Sequence, residues 1–187
     1  MANDSQLHVV MFPFFAFGHI SPFIQLSNKL SSHGVRISFF TIPGFIQKVK
    51  TLIIPDTEII PLEISPTLGL PPNLAGTADL PPSEAAKMIT AIDLARPQVE
   101  TLLSELKPHF VLFDFAQHWL PSLASKLGIK ARYFSVFSAI SMAYLAFPAA
   151  RRIGIEGNVT IDDLLKPPLG FPLRYLPWHF FRNSNHS

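Results

Sequence analysis

The 187-residue chain contains no cysteine. Disulfide scaffolds, thiol nucleophiles and cysteine-ligated zinc or iron–sulfur centres are therefore excluded. Charge is also scarce: Asp, Glu, Lys and Arg make up 15% of the residues, against about 25% in an average chain. Fifteen basic and thirteen acidic residues leave a net charge of +2. The basic residues are scattered, the closest groupings being Lys48 with Lys50 and Arg151 with Arg152. Nucleic-acid binders concentrate a basic face, so a nucleic-acid partner is not expected. The residues before the first apolar run carry Asp4 and no basic residue. That composition does not fit a secretory leader, and a cytoplasmic location is expected. Without a leader, Asn158-Val159-Thr160 and Asn185-His186-Ser187 read as chance matches to the glycosylation pattern.

What the chain has in excess is apolar and rigid. Hydrophobic residues make up 48%, with 17 Phe and 18 Pro. This supports one domain with a sizeable core and rules out intrinsic disorder. Proline at about twice its usual ~5% predicts long loops. Few charges and many Phe suggest a surface partly covered by a ligand, a membrane or a partner. The one membrane-length candidate is Tyr133 to Ala150, eighteen residues without a charge. Ser135, Ser138, Ser141 and Pro148 interrupt it. It reads as the end of a buried strand followed by a core helix over 139–150, so no integral membrane segment is expected.

Hydrophobic patterning alternates strand and helix. Leu7 to Pro13 is continuously apolar, as in a strand buried on both faces. Ser21-Pro22 has the form of an N-cap with Pro at the first helical position. Ile20, Phe23, Ile24, Leu26 and Leu30 then recur at helical spacing up to a stop at Gly34. Further strands are expected at 35–42, 58–64, 109–113 and 129–134. A short amphipathic stretch fills 43–54, and a proline-rich loop of the kind that is often functional fills 65–82. Helices are expected from the Ser83 cap to about Leu106, over 117–127 and over 160–165. The pattern implies an α/β fold: a Rossmann-like parallel sheet with helices on both faces.

Neither the G-x-G-x-x-G dinucleotide fingerprint nor the P-loop is present, and no Ser sits in a G-x-S-x-G elbow. The first strand instead opens into Phe14-Phe15-Ala16-Phe17-Gly18-His19, where Gly18 permits a tight turn. His19 falls between a strand end and a helix N-terminus, where doubly wound sheets place ligands. The positive potential there favours a neutral imidazole, the form a general base needs. The fourth strand ends at Asp114, with no other acid within seven residues on either side. In the doubly wound order 3-2-1-4-5, strands one and four are neighbours about 4.8 Å apart. His19 and Asp114 then come within contact range, and a carboxylate on one ring nitrogen fixes the tautomer. Each residue alone also has a structural reading, a core histidine or a loop cap. Phe14, Phe15 and Phe17 could grip a ligand or pack in the core, and His118 and Trp119 could line a pocket or only pack. Ser135 and Ser138 could touch a ligand hydroxyl or cap a helix. His33, His109, His179 and His186 have no metal-ligand spacing, so no metal is expected.

The segments HVVMFPFFAFGHISPFIQLSNKLSSHGVRISFFT and VLFDFAQHWLPSLASKLGIKARYFSVFSA resemble the plant family 1 UDP-dependent glycosyltransferases. AFGHISPF and DFAQHWLP are most similar to the branch-forming group, which adds a sugar to a flavonoid or terpenoid glycoside. The resemblance implies the N-terminal domain of a GT-B glycosyltransferase, with residues 1–170 binding the acceptor. It implies His19 as the general base, Asp114 as its partner, and Phe15, Gly18, His118 and Ser138 along the substrate cleft. It implies inversion at the sugar, a UDP-sugar as co-substrate held only with a C-terminal domain, and no cofactor or metal. Residues 171–187 read as an irregular tail outside the family pattern, and no donor-binding box precedes Ser187. A truncated form with little turnover by itself is the expectation. A non-catalytic glycoside-binding module and a degenerate fragment are the alternatives.

Overall fold

Five parallel strands form the centre of the fold: β1 (His8–Phe12), β2 (Arg36–Thr41), β3 (Glu58–Pro61), β4 (Phe110–Phe113) and β5 (Lys130–Tyr133). The computed structural model describes residues 6–142, apart from 66–67, 72–73, 75, 85 and 140. It divides into two units, Met1–Val136 and Phe137–Ser187. The expected strand order is the observed one, β3-β2-β1-β4-β5. All five residues of β1 are buried, as expected of a central parallel strand covered on both faces.

The helices α1 (Phe17–Ser31), α2 (Ile46–Leu52), α3 (Ala86–Leu94), α4 (Arg96–Leu106) and α5 (Leu120–Lys126) connect the strands. Short 3-10 turns occupy Pro43–Phe45, Thr77–Asp79 and Pro82–Glu84. The core interleaves Phe12, Phe15, Phe23, Phe39 and Phe40 with aliphatic residues from β1, β2, α1, α3 and α4. Burying one such side chain contributes about 1.5–3 kcal/mol.

Two helix starts differ from the sequence expectation. α1 begins four residues before Ser21, with Ala16 as N-cap, so Pro22 lies inside the helix. At the sixth helical position its missing N–H and its ring cost the Gly18 carbonyl its i+4 partner, and the rest of the helix is intact. The helix expected from Ser83 to Leu106 is two helices. Pro97 cannot donate to the Asp93 carbonyl, and the chain breaks at Ala95, two residues before it, with Pro97 in the first turn of the second helix. Ser83 lies in a 3-10 turn rather than at an α-helical cap.

The proline-rich loop packs back on the turn between β1 and α1. The Thr77 N–H donates to the Phe15 carbonyl at 3.2 Å. Gly76, at φ +118°, lies where a Cβ would come within 2.5 Å of the Phe45 ring. The helix expected over 160–165, most of that over 139–150, the tail 171–187 and both glycosylation patterns lie outside the described residues. Among the described residues, no helix is long and apolar enough to cross a membrane.

Candidate active site

Register places the two key residues side by side. Phe12 pairs with Phe113 at the C-terminal ends of β1 and β4, so Pro13 and Asp114 are the next residues on adjacent strands. From Pro13 the chain turns through Phe14 and Phe15 into α1, and His19 occupies its first turn. The His19 Nδ1 lies 2.7 Å from Asp114 Oδ2. The Asp114 side chain is fully buried, while His19 retains 15% of its surface.

Three groups face the carboxylate besides solvent-excluding carbon. The Phe14 N–H donates to Oδ2 at 3.3 Å, and the Phe115 N–H donates to Oδ1 at 2.8 Å. With His19 Nδ1 these satisfy a buried charge that would otherwise be costly. A carboxylate accepts only, so Nδ1 carries the proton and Nε2 of the neutral ring carries the lone pair. The ring packs edge-on to Phe14 at a centroid distance of 5.3 Å and tilts against Phe115 at 5.5 Å. Phe115 and Phe17 are each 44% exposed, and Lys48 Nζ sits 3.8 Å over the Phe17 ring. The arrangement can accept a proton from a hydroxyl at Nε2 and stabilise the resulting imidazolium through Asp114.

The other predicted site residues fare differently. Phe15 has no exposed surface and packs on Phe12 at 6.1 Å; it supports the site from the core rather than lining a cleft. Gly18 is exposed, the second residue of α1, and a Cβ there would meet nothing within 4 Å. Its expected tight-turn role is not observed; what it leaves is open space beside His19. His118 is 72% exposed, with Nδ1 4.0 Å from the Asp93 carboxylate. Trp119 packs: its Nε1–H donates to Asp93 Oδ1 at 2.9 Å, and it is nearly buried. Ser138 belongs to the second unit, where its hydroxyl accepts the Ser141 N–H at 3.2 Å in a cap-like arrangement.

Gln117 escaped the sequence reading as a site residue. It is fully buried, and its amide joins the Asp114 N–H (3.1 Å) to the Pro13 carbonyl (3.2 Å). Nothing in the sequence sets this Gln apart, because its burial appears only in the fold. A cavity of about 440 Å³ between Glu63, Ser65, Leu94 and Gln98 holds none of these residues. Among the described residues, no group of three or more His, Asp or Glu could hold a metal ion.

The parallel Rossmann-like sheet, in the order β3-β2-β1-β4-β5, has the fold of the N-terminal domain of GT-B plant UDP-glycosyltransferases. The fold matches Glycyrrhiza uralensis UGT73P12 complexed with glycyrrhetinic acid 3-O-monoglucuronide, with a TM-score of 0.64 at 22% identity over 83% of this chain and 34% of that one. No protein-family model matches the chain. In sequence it is 56% identical over 173 residues to the anthocyanidin-3-O-glucoside rhamnosyltransferase of Petunia hybrida, covering 91% of this chain and 36% of that protein. It is 52% identical over 171 residues to the inactive UDP-glycosyltransferase 79A6 of Glycine max, covering 91% of this chain and 53% of that protein. This chain is thus a relative of the plant UDP-glycosyltransferases, and it spans between about a third and a half of the length of those it matches.

Proposed function

We propose that the chain is the acceptor-binding part of an inverting UDP-glycosyltransferase acting on a hydroxyl of a plant secondary-metabolite glycoside. The observation that carries this reading is the 2.7 Å contact between His19 Nδ1 and a fully buried Asp114. In this mechanism the acceptor hydroxyl gives its proton to His19 Nε2 as its oxygen attacks the anomeric carbon of the sugar. The bond from that carbon to the UDP oxygen breaks, UDP leaves with the electron pair, and the configuration inverts. Asp114 holds Nδ1–H toward itself throughout and offsets the charge gained by the ring. The exposed Phe115, tilted against the His19 ring, offers flat apolar surface for an aromatic or terpenoid acceptor.

The reading assigns no cofactor or metal, since the UDP-sugar is a co-substrate that brings its own leaving group. It also assigns donor binding to a C-terminal domain and the whole protein to the cytoplasm. The relatives' names point to a glycosylated flavonoid as acceptor. A second reading, a non-catalytic glycoside-binding module, draws support from a 52%-identical relative named as inactive.

The test uses this chain joined to the donor-binding half of a relative, with a UDP-sugar and a flavonoid glycoside. His19→Ala is expected to lower kcat by about 10²–10⁴, the contribution of general-base catalysis. Undiminished turnover removes His19 as the base. Glycoside binding with no turnover in the intact pair favours the second reading. The 187-residue chain assayed by itself is expected to show little or no transfer, because positioning of donor against acceptor supplies much of the rate.

A further inference from the structure

We infer that Gln117 is a positioning residue for the His19–Asp114 dyad, an amide that replaces the missing rung between two strands as they part beneath the histidine. The inference deepens the reading of His19 as proton acceptor and rests on it. The β1–β4 ladder ends at Phe12 and Phe113. Beyond it the strands leave in different directions, Pro13 toward α1 and Asp114 toward α5. At this fork the buried side chain of Gln117 donates Nε2–H to the Pro13 carbonyl at 3.2 Å and accepts the Asp114 N–H on Oε1 at 3.1 Å. One planar amide thus fixes the separation of the two chains.

That separation sets the carboxylate. The two backbone N–H groups that grip it belong to Phe14 and Phe115, the residues immediately after Pro13 and Asp114. Fixing the peptides of Pro13 and Asp114 therefore aims both donors and leaves Oδ2 2.7 Å from His19 Nδ1. The Gln117 side chain hydrogen-bonds to the Asp114 N–H and the Pro13 carbonyl rather than to the imidazole or the carboxylate; it acts through the backbone that holds them. Its own N–H also reaches back to the Asp114 carbonyl at 3.4 Å, which closes the turn that brings its amide into the fork.

The test is nuclear magnetic resonance of the full 187-residue chain labelled with ¹⁵N-histidine, with His19 assigned by His19→Ala. The probe is the His19 ring itself: its tautomer and the exchange of its Nδ1 proton. In the unsubstituted chain the Nδ1–H tautomer is expected with a slowly exchanging proton. Gln117→Met, nearly isosteric and without the amide, and Gln117→Asn, one methylene too short to span the fork, are expected to speed that exchange at least tenfold and mix the tautomers. The signals of His8 and His109, at the other end of β1 and β4, are expected to stay in place. Asp114→Asn serves as the reference for a broken dyad. If Asp114→Asn abolishes the slow proton while both Gln117 variants keep it, the positioning role is overturned and the dyad stands. If Asp114→Asn leaves the His19 signal unchanged, the dyad reading itself fails. Movement of all the histidine signals together, or loss of the thermal transition in both Gln117 variants, also overturns the inference, because the amide is then a general brace of the fold.

Discussion

Asp114 carries two duties that different substitutions separate. It orients His19, and it accepts the N–H groups of Phe14 and Phe115 inside the fold. Leaving a buried donor without an acceptor costs about 1–3 kcal/mol. Asp114→Ala is therefore expected to lower unfolding free energy by about 2–5 kcal/mol, measured by urea titration, whereas His19→Ala, at the partly exposed rim, is expected to cost clearly less. Equal losses would mean that the carboxylate does not hold the backbone. The dyad was legible in the sequence because strand order alone brings the ends of β1 and β4 together, and each end bears one residue with the right chemistry. Gln117 was not legible, because its role depends on a turn that folds its amide back between two strands. Phe15 was misread for a related reason. Its neighbour Phe14 faces His19, and the next side chain along the chain points into the core.

At the scale of elements, the far end of the sheet holds a second polar arrangement with a different consequence. His8 on β1 contacts the Ser38 hydroxyl of β2 through Nε2 at 2.9 Å, and that hydroxyl donates to Glu58 of β3 at 2.8 Å. Three successive strands are thus joined side chain to side chain. Burial pushes the His8 imidazole below its ordinary 6.5; the Arg36 guanidinium adds to this, Glu58 and a backbone hydrogen bond at Leu106 oppose it, and His109 also lowers it. The unfolded chain then binds more protons than the folded one, so stability is complete above about 6.5 and declines as pH falls through that value. Thermal melts from about pH 7.5 to 5.5, where carboxylates stay ionised, should show a falling Tm, and His8→Gln should flatten that slope. An unchanged slope in the variant would assign the loss to other groups. Patterning disclosed these three strands, β1 as a continuous apolar run and β2 and β3 as short β-rich runs between turn residues. Helix ends were less legible. Ser21-Pro22 has the chemistry of a helix start, but packing of Ile20 against the sheet, where it is buried, extends the helix one turn earlier. Pro97 ends one helix and opens another, where amphipathic spacing alone runs straight through.

For the molecule as a whole, the surplus of Phe and the shortage of charge turn out to describe a core more than an uncovered face. Among the described residues, Phe12, Phe14, Phe15, Phe23, Phe39, Phe40, Phe45 and Phe113 are buried, while Phe17, Phe115 and Phe137 are the exposed ones of note. Among the described residues, every member of the core cluster lies between Val9 and Ile129, and the partly buried residues packed on it run to Val136. All five strands, and the His19, Asp114 and Gln117 side chains with the hydrogen bonds that join them to Pro13 and Asp114, fall inside that span. A chain of about this length buries roughly two-thirds of the surface that it exposes when unfolded, enough for an independent domain. The first unit should therefore fold without the second. A chain ending at Val136 is expected to unfold in a single cooperative thermal transition, with Tm within a few degrees of the 187-residue chain and the same slowly exchanging His19 proton. Broad, non-cooperative melting would show that residues after Val136 complete the core. A cooperative transition without that proton would show that they are needed to set the dyad.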